Sequence, residues 1–233
     1  LPVRRALLDL RSALEDEPFE PGYTRQRFAI AVNNYAAIAL AGAIVLRARA
    51  LAPGVQIRLR PSGTLDVADL LDRGELDLAL VSGAPPLARY GSALLIEDDF
   101  VAVVRQGHPL LGAPLDSAGF AAQAHLTISS SGDDLTGLDE ALARQGLARN
   151  SEIEVPYLSA GAVLTQSDMM AIMARQIAVA FARVHPVALV ELPLQPAPLR
   201  QMLVWQRRFE DQAAQRWLRE TIASVAADLR SAR

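Results

Sequence analysis

The chain has 233 residues, 51% of them apolar, and a formal net charge of −3 from 23 Lys and Arg against 26 Asp and Glu. That length can bury one large core or two smaller ones, and no block of basic residues offers the positive patch with which proteins displace phosphate counterions. Cysteine and lysine are both missing, which removes disulfides, thiol nucleophiles, cysteine metal sites, Schiff-base chemistry and the lysine of phosphate loops. The longest apolar run, Ala36 to Leu46, falls well short of the ~18 residues of a membrane span, and the first residues carry no secretion leader. The expectation is a cytoplasmic protein with no membrane partner, and a start at Leu1 suggests a piece of a longer chain.

Val3, Leu7, Leu10 and Leu14 follow the rhythm of a coiled-coil seam. About two heptads cannot stand alone, so residues 1–18 read either as the end of a longer dimerising helix or as a surface helix packed on its own domain. Pro18 and Pro21-Gly22 close this segment. From Arg27 onward strands and helices alternate: a strand at Phe28–Val32, an apolar helix at Tyr35–Leu51, a strand at Val55–Arg60, a helix at Thr64–Arg73 and a strand at Leu76–Val81. The β-α-β-α-β order implies a parallel, right-handed, doubly wound sheet. In Val55–Arg60, apolar residues alternate with Gln56, Arg58 and Arg60, a pattern suited to an edge strand that resists unwanted pairing.

A strand at Phe100–Val104 leads to a second α/β series. It comprises strands at Leu126–Ser129, Glu152–Tyr157, Met169–Met173 and Val187–Leu192, with helices at Leu135–Gln145, Ala160–Thr165 and Arg175–Val184. Leu199–Trp205 is apolar again and returns the chain to the first series. The closing helix, Asp211–Leu229, lines Ala214, Trp217, Leu218, Thr221, Ile222, Val225 and Leu229 along one stripe.

The carboxyl ends of the first three strands carry Asn33-Asn34, Ser62-Gly63 with Thr64, and Ser82. Open α/β sheets hold small ligands at such ends, and helix N-termini there would add backbone N–H groups and a positive dipole end suited to an anionic group. Asn33, Asn34, Ser62, Gly63 and Ser82 are therefore candidate ligand contacts, although Asn and Ser equally cap helices. In the second series Ser129 and Ser130 offer hydroxyls at another strand end. Tyr157 could stack on an aromatic ring or belong to the core, and Met173 could supply an apolar ligand face or plain core.

His108, His125 and His185 lack metal-ligand spacing, so no metal or cofactor is expected; His108 reads as a turn residue. No Gly-x-Ser-x-Gly elbow accompanies the serines, and the adjacent acids Asp98 and Asp99 read as pointing apart into solvent. Catalytic machinery is not legible, which argues against an enzyme.

Three stretches resemble the effector-binding domain of LysR-type transcriptional regulators. They are Phe19 to Tyr35; the run from Asp98 to Leu110 with its Gly107-His108-Pro109 turn; and Trp205 with Arg216-Trp217-Leu218-Arg219-Glu220. The likeness is to the branch that handles aromatic catabolism and nodulation signals, which has Ser-Asp-Tyr where this chain has Asn33-Asn34-Tyr35.

The resemblance implies an α/β, two-lobed, type 2 periplasmic-binding-protein-like fold, each lobe a doubly wound, mostly parallel sheet, with two crossover strands. Residues 23–105 with 201–233 would form one lobe and 106–200 the other. A small aromatic or carboxylated effector would bind between them, and a homodimer or homotetramer would form partly through the Val55–Arg60 strand. Promoter DNA would be met only by a winged helix-turn-helix missing from this sequence. A solute-binding transport component and a small-molecule enzyme on the same fold are the alternatives.

Overall fold

The computed structural model describes residues 19–63, 65–83, 87–112, 114–128, 136–194 and 196–231. The coiled-coil reading of Val3–Leu14 lies outside them. The chain forms two units, one running to Ile96 and resuming at Arg200, the other spanning Glu97–Leu199.

In chain order the first stretch holds β1 (Arg27–Val32), α1 (Asn34–Ala39), α2 (Ala41–Leu51), β2 (Gln56–Pro61), α3 (Val67–Asp72), β3 (Leu78–Ser82) and β4 (Tyr90–Asp98). The middle holds β5 (Phe100–Arg105), α4 (Ser117–Ala121), β6 (Ala124–Ile128), α5 (Thr136–Ala143), β7 (Asn150–Val155), α6 (Tyr157–Thr165), β8 (Met170–Ala174), α7 (Arg175–Ala182) and β9 (Val187–Glu191). β10 (Leu199–Gln206) and α8 (Ala213–Ser231) complete the chain.

The first unit's sheet has the order β2-β1-β3-β10-β4. β1 runs parallel to both β2 and β3, and β10 is antiparallel to β3. Ala31, Ala79, Met202 and Val204 pack with Leu70 and Leu71 of α3 on one face. The pleat turns Phe28, Ile30, Leu78 and Leu80 to the other face, where the Phe28 ring meets Trp217 of α8 at 6.0 Å. Arg47 of α2 reaches Ser224 at 3.1 Å and Asp228 at 2.6 Å on α8, fixing the two helices side by side. Cover on both faces is why β1 and β3 read as continuous apolar runs.

The second unit repeats the plan with the order β7-β6-β8-β5-β9. β6 is parallel to β7 and β8, while β5 is antiparallel to β8 and β9. All five residues of β8 are buried.

Several expectations change. The first unit ends at Ile96 rather than at residue 105, because β5 pairs with β8 and β9. The strand that fills its place at the sheet edge is β4, whose Gly91, Ser92, Glu97 and Asp98 hide it from a pattern reading. The long Tyr35–Leu51 helix is kinked at Leu40, where φ is −116°, yet hydrogen bonding runs through the kink. Asp98 is 3% exposed rather than solvated: its carboxylate accepts from the Gln176 N–H at 2.9 Å and caps the start of α7. On the closing helix Gln215 and Ala226 join the buried stripe, while Ala214, Trp217 and Leu229 are only half-buried.

Candidate functional site

The parallel pairing of β2, β1 and β3 brings Val32, Pro61 and Ser82 to one edge of the first sheet, so the segments that follow them are neighbours. Asn33 is the centre of this edge and is 2% exposed. Its Oδ1 accepts from the Ala36 N–H at 2.9 Å, capping α1. Its Nδ2 donates both hydrogens, one to Ser82 Oγ and one to Gln201 Oε1, each at 3.0 Å. Gln201 stands opposite Ser82 in the β10–β3 ladder and is fully buried. Sequence reasoning misses it because a lone Gln inside an apolar strand carries no motif.

Ser62 is half-buried beside this cluster. Its N–H donates to Val32 O at 2.9 Å and its carbonyl accepts from Leu65 at 2.9 Å. The cap of α3 is not Ser62 but Asp66, whose Oδ1 accepts from Asp69 N–H at 3.0 Å. Asn34 is half-buried in the first turn of α1, and Gly63 is exposed. Gly83 turns the chain after β3 with φ of +81°, a conformation glycine adopts at no steric cost, and its N–H closes on Arg200 O at 3.0 Å. Both helices at this edge have only six residues, and each first turn is capped by a side chain. The expected contribution of open helix N-termini is correspondingly reduced.

In the second unit Ser129 and Ser130 lie outside the described residues. Tyr157 opens α6 instead of ending a strand, because Pro156 stops β7, and its half-buried ring meets Phe181 edge-on at 5.7 Å. Met173 is 1% exposed inside β8, opposite Val101, and serves the core.

At the other end of the first sheet a concavity of about 500 Å³ is lined by Asp72, Arg89, Gln206 and Arg208. The Asp72 carboxylate accepts from Arg89 at 2.6 Å and from the Tyr90 hydroxyl at 2.9 Å. Burial by itself would raise this carboxyl, but the hydrogen bonds and the charges of Arg89 and Arg208 outweigh it and hold the group below the usual carboxylate range. The opposite charges there satisfy one another. His108 accepts from Leu110 N–H through Nδ1 and so donates from Nε2 to Asp168 O at 3.1 Å, the expected turn role. Among the described residues no group of acids and histidines could hold a metal ion. Among the same residues no helix is long and apolar enough to cross a membrane.

A profile of the LysR substrate binding domain family matches residues 21–227. Nodulation protein D 2 of Rhizobium tropici is 29% identical over 227 residues, which are 96% of this chain and 72% of that protein. The regulatory domain of MexT, a transcriptional activator in Pseudomonas aeruginosa, superposes with a TM-score of 0.76 at 22% identity, covering 87% of this chain and 98% of that one. The BenM effector-binding domain with its effector benzoate superposes with a TM-score of 0.70 at 16% identity, covering 87% and 92%.

Proposed function

Since the chain belongs to the LysR substrate-binding domain family, we propose that it is the effector-sensing and oligomerising part of a DNA-binding transcriptional regulator. The observation that carries this reading is the match across residues 21–227, joined to a first unit whose parallel strands deliver Asn33, Ser62 and Ser82 to one edge. A small aromatic or carboxylated molecule takes its contacts from Asn34, Ser62, Gly63 and Ser82, with Asn33 behind them. Benzoate, the effector held by the structurally similar BenM domain, is a reasonable first member of a screen. The regulator works without catalysis, in the cytoplasm.

Effector binding acts through its differential affinity for two states of the regulator, typically about 1–3 kcal/mol of coupling. A winged helix-turn-helix outside this sequence then meets promoter DNA. Homodimers form through the edge strand β2, whose Gln56 and Arg58 are exposed, and through neighbouring Leu46 and Leu51 of α2, which are 73% and 49% exposed. A thermal-shift screen against benzoates, salicylates, phenols, nitroaromatics and non-aromatic metabolites tests the sensing role, because native-state binding raises Tm by mass action. A dose-dependent rise with one class supports it; turnover of the compound during incubation would point to an enzyme instead.

A further inference from the structure

The first unit's sheet has two edges, and they are defended differently. At one, β2 carries Gln56, Arg58, Arg60 and Pro61, residues that discourage the addition of a strand. At the other lies β4, nine residues long, whose seven residues from Tyr90 to Ile96 include neither a charge nor a proline. The middle of β4 is open: Ser92 is exposed, Ala93 half-buried and Leu94 41% exposed. Arginines cover it only to either side, Arg207 bonding Ala88 O at 3.0 Å and Arg230 bonding Leu95 O. Among the described residues no strand lies beyond β4. Its backbone polarity follows from β10. The Arg207 N–H donates to Arg89 O at 3.1 Å, and Gly91 lies against Trp205, so the two strands are antiparallel. Alternate residues of such a ladder turn their N–H and C=O toward the neighbour. Odd-numbered residues of β4 therefore face β10, and the backbone groups of Ser92 and Leu94 face outward. Tyr90 marks the same outward direction, its N–H returning to Leu87 O at 3.1 Å.

We infer that β4 is a self-association surface, separate from the contact through β2 and α2. The strand pairs antiparallel with β4 of a second copy about a two-fold axis at Ala93, joining two five-stranded sheets into one. Ser92 and Leu94 of one copy exchange backbone hydrogen bonds with Leu94 and Ser92 of the other. Charge selects this register and this occupant. Arg89 and Glu97 are both exposed, and only a two-fold at Ala93 sets each across from the other in the second copy, with no like charges opposed between them. A segment that complements itself in this way fits another copy of this chain better than an unrelated peptide. So short a strand buries less surface than a stable dimer needs. The contact therefore forms above micromolar concentration, or between copies already held close by another interface.

The chain has no cysteine, so a single introduced thiol reads the register directly. Ala93→Cys and Glu97→Cys variants of the whole chain are oxidised with copper phenanthroline at high protein concentration, and disulfide-linked dimer is followed on non-reducing gels. Residue 93 meets its own copy in a pair without backbone hydrogen bonds, where Cα atoms lie about 4.5 Å apart, within reach of a disulfide. Ala93→Cys should therefore cross-link about tenfold or more faster than Glu97→Cys, whose thiols this register holds roughly 27 Å apart. Ser92→Pro, added to Ala93→Cys, removes only an outward N–H, so it should leave cooperative unfolding in place and abolish the cross-link. Leu94→Arg, which sets a charge on the open middle of the strand, should do the same and serves if the proline variant fails to fold. Equal rates for the two thiols mean random collision and overturn the register. Absence of a cross-link at residue 93, or one that survives a folded Ser92→Pro or Leu94→Arg variant, overturns pairing through β4.

Discussion

Asn33 carries more of the fold than its position in the sequence suggests. It caps a helix, spans two strands and is shut away from solvent, so Asn33→Leu removes a cap worth about 1 kcal/mol and leaves buried groups unpaired at about 1–3 kcal/mol. We expect it to cost about 2–4 kcal/mol in denaturant unfolding; a loss below about 0.5 kcal/mol would contradict the network. Ser82→Ala, at a half-buried site, should cost under about 1.5 kcal/mol and is the better probe of binding.

His125 provides a second test at this scale. It is 1% exposed, its Nε2 faces Phe120 O at 2.9 Å, and its buried Nδ1 has no hydrogen-bond partner. A second proton would be buried without an acceptor, and burial holds the imidazole below its ordinary value of 6.5. The unfolded chain therefore takes up that proton first as pH falls. The stability this confers is full above pH 6.5 and declines below it. Tm should drop between pH 6.5 and 5, and His125→Leu should flatten that step; an unchanged step would contradict the assignment.

At the scale of elements, β4 shows what packing demands and sequence pattern conceals. A Cβ on Gly91 would overlap the indole of Trp205 in the adjacent strand, so Gly91→Ala should cost about 1–3 kcal/mol through overpacking; wild-type stability would mean that β4 lies elsewhere. The central strands β1, β3, β5 and β8 were readable because burial on both faces makes them apolar throughout. β4 was not, since Gly91 is there for Trp205 and Asp98 for the N-terminus of α7. The candidate site divides in the same way. Asn33, Ser62 and Ser82 could be found because they follow recognisable strands. Gln201 could not, because its role depends on an antiparallel neighbour 119 positions away in sequence, opposite Ser82.

For the whole molecule, the two units share one plan: three parallel strands and then an antiparallel fourth, β10 in one and β5 in the other. Each of these fourth strands begins within four residues of a boundary between the units. Gln201 lies two residues past one such boundary, so the polar cluster of the first unit sits directly on a crossover strand. Oligomerisation belongs to the same scale. Leu46→Glu should convert a dimer into a monomer in light scattering at micromolar concentration, and a dimer that survives it would place the interface away from α2. Effector sensing is measured most directly by calorimetric titration of the chain and its Ser82→Ala variant with the best carboxylate from the screen. One site per chain and about tenfold weaker binding in the variant are expected. Equal affinity in both proteins, or no carboxylate binding at all, would contradict it.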